Sequence, residues 1–480
     1  MKDEGSYQQI LRSSSIIGGA SVINLLIGLL RIKIAAVLLG PAGIGLIGLL
    51  TTLVSTAATI IGLGFGNVGT RQIAEATGKK DAIAIAAARR ALFWGSLVLA
   101  FLGAALFWLL RNILAVHVFG NEALSNDVGW LTLAVALTVA AASQTALLTG
   151  MRKIGDLARV SVLSALLSTL LGVSALMLWG REGLIAYVIA APLSSFLLGH
   201  LYVARLPKID ALRTSLSILI EQWSVLAKLG AAFMFAGLAA ILGQLAVRII
   251  VKQKLGLDAL GLYQAASAIS ITYIGIVLTA MGTDYYPRLT AVIKLHTVAN
   301  KMVNYQTEVA LIIASPVLLA MMGLAPWVIE LLYASSFNEA ANVLRWQVLG
   351  DVIKVLCWPL GFIILAAGDG RLFMVSEIIA AGVFIILSWF GITIFGIKGT
   401  GIAFFGMYMV YLPIVYLIAK SKTGFSWSSL VRRHLAYLLL TALVVLFIAE
   451  WNAIAGAIIG MFASIVFGIN GFIRLRKNHS

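Results

Sequence analysis

"GLLRIKIAAVLLGPAG", residues 28–43, sets Arg31 and Lys33 near the end of an apolar run that begins around Ser13. Hydrocarbon tolerates little charge. A cation near a membrane helix end can serve as an anchor, its stem along the helix and its head at the interface, so a further role has to come from its surroundings.

Those surroundings are apolar throughout. Of 480 residues, 61% are hydrophobic and 11% charged, and the mean hydropathy is +1.01. A water-soluble chain could not hide that composition in one core. Crossing about 30 Å of hydrocarbon takes roughly 20 apolar residues. Such stretches lie at 13–37, 42–66, 86–110, 128–150, 158–179, 183–204, 225–251, 259–282, 307–333, 343–367, 373–395, 399–419, 433–450 and 453–473. They predict an all-α polytopic membrane protein of about fourteen transmembrane helices, and the lack of strand-like alternation argues against a closed barrel. Asp3, Glu4 and the length of the first run speak against a cleaved signal.

With the N-terminus inside, 25 of the 35 Lys and Arg residues fall in alternate loops. Cytoplasmic loops retain positive charge, so both termini are expected on the cytoplasmic side. The net charge of +16 then follows mainly from topology and calls for no nucleic-acid partner. Cys357 is the single cysteine and lies in a span, which excludes an intrachain disulfide, and the five histidines show no metal-ligand spacing.

Ten cations break the loop pattern. Arg111, Arg181, Arg345 and Lys398 sit at or near outer ends, whereas Arg31, Lys33, Arg248, Lys252, Lys254 and Lys354 need another account. Five of these six cluster in two places, which an internal repeat relates. "LGPAGIGLIGLLTTLVSTAATIIGLGFG" from Leu39 aligns without gaps on "LGLDALGLYQAASAISITYIGIVLTAMG" from Leu255, pairing Leu39, Gly40, Gly45 and Gly66 with Leu255, Gly256, Gly261 and Gly282. The offset of 216 divides the chain into a six-helix bundle at 1–215, a second at 216–422, and two additional helices with a basic tail at 423–480. An even number of helices per half makes the repeats parallel, as in several transporter folds, and sets a central cleft between them.

Arg31 falls one residue from Arg248 under this repeat. Ser21, Asn24, Gly28, Arg31 and Ala35 recur at helical spacing, as do Gln244, Arg248 and Lys252. Two cationic stripes are expected to face one another across the interface between the halves, with outer-leaflet anchoring or interhelical packing as the competing account. Lys33 and Lys254 lie off the stripes. A third unusual stretch, "WQVLGDVIKVLCWPLG" from Trp346, puts Gln347, Asp351, Lys354 and Trp358 on one face. Asp351 and Lys354 are spaced to pair, either as a structural device or as a pair sensitive to protonation or substrate.

Enzyme readings are weak. Gly43, Gly45 and Gly48 satisfy GxGxxG but open an apolar helix with no preceding strand, and there is no Walker A lysine loop. Close helix packing explains these glycines better.

"GLLRIKIAAVLLGPAGIGLIGLL", "YYPRL" from Tyr285 and "WQVLGDVIKV" together resemble the bacterial flippases of O-antigen and enterobacterial common antigen repeat units, often called Wzx. The resemblance covers about residues 10–420, and the GD-x-x-K element is its most specific part. It implies membership of the multidrug, oligosaccharidyl-lipid and polysaccharide exporter superfamily, with two six-helix bundles around a cleft that opens alternately to either side of a bacterial inner membrane. The implied cargo is an undecaprenyl-diphosphate-linked oligosaccharide carried to the periplasmic leaflet, and the implied partners are a polysaccharide polymerase and a chain-length regulator. No cofactor is implied; a proton or sodium gradient, or the membrane potential, could drive transport.

On that reading Arg31 and Arg248, helped by Lys252, hold the diphosphate headgroup, because arginine makes paired charge-assisted hydrogen bonds to phosphate oxygens. Asn24, Gln244, Gln347 and Trp358 are candidates for contacting sugar, and Asp351 with Lys354 for coupling or for holding its helix in register. A peptidoglycan-precursor flippase would share the cations and the fourteen helices. A drug or cation antiporter would favour acidic groups in the cleft. A membrane glycan polymerase would need a sizeable periplasmic loop, and the sequence has none.

Overall fold

A computed structural model of the chain describes residues 2–79, 81–207 and 216–479. Lys80, Lys208 and Arg213, three of the cations expected in cytoplasmic loops, and the expected boundary at 215 lie outside these residues.

The described residues form helices and connecting turns, with no strand among them. In chain order the helices are α1 (Lys2–Gly62), α2 (Phe65–Gly78), α3 (Ala82–Leu109), α4 (Arg111–Phe119), α5 (Ser125–Gly150), α6 (Ile154–Trp179), α7 (Leu184–Ala204) and α8 (Leu216–Val292). They continue with α9 (His296–Gly323), α10 (Ala325–Leu332), α11 (Ala340–Ala366), α12 (Gly370–Phe395), α13 (Lys398–Thr423), α14 (Ser429–Trp451) and α15 (Ala453–His479). Ten described segments are long and apolar enough to cross a membrane. Two of them, Ser15–Gly62 at 48 residues and Ile154–Ala204 at 51, are each long enough for two crossings, as is α8 at 77 residues. On length, these segments have room for the fourteen expected helices.

α1 and α8 are broken at matching positions. Gly40 has φ 63° and ψ −169°, and Gly256 has φ 87° and ψ −176°. These are backbone conformations that a Cβ disfavours, and the two glycines are partners in the 216-residue repeat. Pro41 follows the first break, where a helix start tolerates its missing N–H. The second segment of α1 stops at Gly62, short of the expected 66, because Leu63 and Gly64 both take left-handed backbone angles (φ 43° and 66°) before α2 begins.

The chain forms two compact units, residues 1–39 with 47–241, and residues 40–46 with 242–480. In the first, α5 packs against α3 and α7, and α6 against α7. In the second, α11 is the central helix. It packs on α9 and α13, and 20 of its 27 residues are buried.

The two helices beyond the repeat are integral to the second unit, packing on α9. A Cβ on Gly460 would stand 2.9 Å from the Gly323 Cα, so α15 and α9 meet at the close approach that small residues allow in membranes. Asn300 and Asn304 of α9 clasp the linker before α14. Asn300 Nδ2 donates to the Thr423 carbonyl at 2.8 Å, and Asn304 donates to the Ser426 carbonyl at 3.0 Å while accepting from the Ser428 N–H at 2.7 Å. At the other end of α14, Glu450 pairs with Lys398 at 2.6 Å and accepts from the Trp346 indole at 3.3 Å.

Candidate functional site

Arg31 is half-buried in the first unit. Its Nη1 donates to Ser168 Oγ at 3.2 Å on α6, and its Nη2 to the Tyr187 carbonyl at 2.8 Å on α7. The guanidinium carbon lies 4.2 Å from the centre of the Tyr187 ring, a cation–π contact. A Cβ on Gly172 would stand 3.0 Å from that ring and 3.4 Å from Nη2, so the glycine leaves room for the arrangement. Two turns earlier Asn24 Nδ2 donates to Ser161 Oγ at 2.6 Å. The steps from Asn24 to Arg31 and from Ser161 to Ser168 are equal, so α1 and α6 run in the same direction with their polar stripes in register.

Arg248 is 5% exposed in the second unit. Its Nε donates to Gln264 Oε1 at 3.0 Å and its Nη1 to Gln244 Oε1 at 3.4 Å. Gln264 lies beyond the break at Gly256, so the two segments of α8 are tied through this side chain. Lys252, one turn from Arg248, is half-buried.

No carboxylate stands in ion-pair range of Arg31 or Arg248 among the described residues. Their partners above are hydroxyl, amide and carbonyl oxygens, which orient a guanidinium without neutralising it. A cation in an apolar span without an opposing charge is costly. An anionic ligand would supply the missing charge.

The third group also lies in the second unit. Asp351 is fully buried on α11, and its Oδ2 accepts from Ser270 Oγ and from the Tyr273 hydroxyl, both at 2.7 Å. Lys354 Nζ is 3.9 Å from Asp351 Oδ1. Gln347 Nε2 donates to Ser267 Oγ at 2.9 Å. Ser267, Ser270 and Tyr273 step along α8 at three-residue intervals and meet Gln347 and Asp351 one turn apart on α11. Trp358 stacks on Tyr285 with ring centres 5.9 Å apart. Together with Lys354, Glu377 and Tyr411 it lines a cavity of about 190 Å³.

The structure thus joins Asn24 and Arg31 through α6, Gln244 and Arg248 through α8, and Gln347, Asp351 and Lys354 through α8 and α11. Tyr187, Ser168, Gln264, Ser270 and Tyr273 were not singled out from the sequence. Ser168 carried a faint signal, since Ser161, Ser164 and Ser168 recur at three- and four-residue steps on α6.

Residues 34–342 match the family described as "Polysaccharide biosynthesis protein". The chain belongs to that family. The lipid III flippase of Escherichia coli (strain K12) is 22% identical over 436 residues, an alignment spanning 86% of this chain and 99% of that one. Among solved structures, the fold is shared with the lipid II flippase MurJ in an inward closed conformation, with a TM-score of 0.75 at 13% identity over 95% of this chain and 99% of that chain. It is also shared with a multidrug resistance MATE family transporter of the MOP superfamily in its inward-facing conformation. There the TM-score is 0.70 at 17% identity, covering 84% and 94% of the two chains. The chain is a multi-pass membrane protein with the fold of these transporters.

Proposed function

We propose that this chain is a flippase that moves an undecaprenyl-diphosphate-linked oligosaccharide repeat unit from the cytoplasmic to the periplasmic leaflet by alternating access, for O-antigen, common antigen or a related surface polysaccharide. The observation that carries the reading is that Arg31, half-buried, and Arg248, buried, lie in membrane spans and, among the described residues, are held by neutral partners with no carboxylate in ion-pair range. The polyprenyl tail of such a lipid can stay in the bilayer, while its diphosphate must cross in contact with something positive. Arg31 and Arg248, with Lys252 beside the latter, are suited to that contact. Membership of a polysaccharide biosynthesis family and similarity to a lipid III flippase support the same class of cargo.

Asp351 and Lys354 are assigned to coupling, through a proton or sodium gradient or the membrane potential, or to holding α11 against α8. A polymerase and a chain-length regulator are the partners that such a step would feed. A drug antiporter is disfavoured by the charge sign at Arg31 and Arg248.

The test is deletion of the gene in its own host with sugar-chain initiation under control. Accumulation of a single-repeat polyprenyl-diphosphate lipid on the cytoplasmic side, reversed by the wild-type chain but not by Arg31→Gln at equal abundance, supports the flippase. Accumulation of a peptidoglycan precursor would move the cargo to that class, and unchanged lipids on both faces would refute lipid transport.

A further inference from the structure

The first unit contains a cavity of about 420 Å³ separate from Arg31, within the usual range for a small-molecule site. It lies where the second segment of α1 ends, bounded by α3, α5, the start of α2 and Met234 of α8. Its polar lining is Ser55, Thr59, Asn67, Ser96, Thr138 and Ser143, with Phe65 as the aromatic wall and no charged residue.

The five hydroxyls share one orientation. Each donates its hydrogen to a carbonyl three or four residues back on its own helix: Ser55 to Thr52 at 3.0 Å, Thr59 to Ser55 at 2.8 Å, Ser96 to Phe93 at 3.0 Å, Thr138 to Ala134 at 2.7 Å and Ser143 to Ala140 at 2.8 Å. With their hydrogens so committed, these oxygens offer lone pairs to whatever enters. The complementary ligand is neutral and rich in O–H donors. An ammonium or other organic cation fits less well, because no carboxylate lines the cavity to balance it.

The backbone adds a second feature. Gly62, Gly64 and Gly66 line the cavity, and the left-handed pair Leu63 and Gly64 turns the chain there, so a ligand can approach bare peptide groups. A non-glycine residue at φ 43° is an uncommon conformation that the surrounding structure has to hold. In the other half of the repeat, α8 runs on as helix to Val292 with its only non-helical residue at Gly256. The break at Leu63 is therefore particular to the first half.

We propose that this cavity is a carbohydrate subsite, binding neutral sugar hydroxyls of the cargo's glycan, with none of the headgroup cations in its lining. The assignment rests on the flippase reading for the source of the sugar. With the N-terminus cytoplasmic, as the loop charges predict, the cavity lies at the end of the first unit where a glycan would enter.

The test uses the purified full-length chain in nanodiscs and lipid-free probes: galactose, N-acetylglucosamine and maltotriose, with tetraphenylphosphonium as the cationic control. Binding is followed by saturation-transfer-difference NMR. At least one sugar is expected to bind saturably and the phosphonium not to compete with it. Thr138→Val with Ser143→Ala should weaken sugar binding about tenfold, as expected for two lost hydrogen bonds, and Ser96→Ala alone should weaken it less if the double variant folds poorly. Arg111→Gln, at a partly exposed cation outside both proposed sites, should bind the sugar as the wild type does. No saturable sugar binding, equal binding by the hydroxyl variants, or displacement by the phosphonium overturns the subsite. Failure of the flippase reading would be seen separately, as normal export by Arg31→Gln.

Discussion

Gly45 and Gly261, partners in the internal repeat, lie backbone to backbone. A Cβ on Gly45 would stand 2.7 Å from the Gly261 nitrogen and 2.5 Å from the Leu257 carbonyl oxygen, and one on Gly261 would overlap the Pro41 carbonyl. The stretches after the two helix breaks thus press against each other, and residues 40–46 pack within the second unit for this reason. Gly45→Ala and Gly261→Ala should each destabilise the protein by about 1–3 kcal/mol. Gly28→Ala, with nothing within 4 Å of its added methyl, should not. Thermal unfolding midpoints in detergent check the contrast.

Asp258 caps the same contact. Its Oδ1 accepts from the Ala42 N–H at 3.1 Å, one of the donors that a helix start leaves without an intrahelical partner. Asp258→Ala should cost about 1 kcal/mol and Asp258→Asn clearly less, measured on the same unfolding curves.

The sequence showed this junction well and the cationic sites only in part. Repeat alignment paired Gly40 with Gly256, the two positions where the structure breaks its helices, because a backbone angle forbidden to a Cβ demands glycine in each copy. Helical spacing put Asn24 and Arg31 on one face, and Gln244 and Arg248 on another, as the structure has them. Spacing says which face a side chain occupies and nothing about what that face meets. Ser168 and Tyr187 are separated from Arg31 by 137 and 156 residues, and Gln264 meets Arg248 only because α8 turns back at Gly256. The turn at Leu63 was hidden for another reason. Leucine carries no signal for a left-handed angle, and the apolar run continues through it.

Asp351 and Lys354 should behave as a coupled pair. Asp351→Leu leaves the Ser270 and Tyr273 hydroxyls and the Lys354 ammonium without their acceptor, and should cost about 3 kcal/mol. Adding Lys354→Met should recover part of that loss. A double-mutant cycle on unfolding free energy checks it, and additive losses would show that the 3.9 Å contact carries no energy.

The tail helices are held at both ends of α14, by Asn304 at the linker and by Glu450 at Lys398 and Trp346. Asn304→Ala should therefore speed proteolysis of the linker at 424–428, whereas Glu450→Gln, at a partly exposed pair, should change stability by about 1 kcal/mol or less. Limited proteolysis of the two variants separates these effects.

The central claim is that Arg31 and Arg248, set in membrane spans, meet a diphosphate in transit. Its most direct test is transbilayer movement of a fluorescent undecaprenyl-diphosphate-linked oligosaccharide in proteoliposomes holding equal amounts of wild-type chain, Arg31→Lys and Arg31→Gln. The account predicts movement by the wild type, a partial loss with lysine, which keeps the charge but not the fork, and at least about a tenfold loss with glutamine. Equal rates for the wild type and Arg31→Gln would contradict it and leave Arg31 as a tie between α1, α6 and α7.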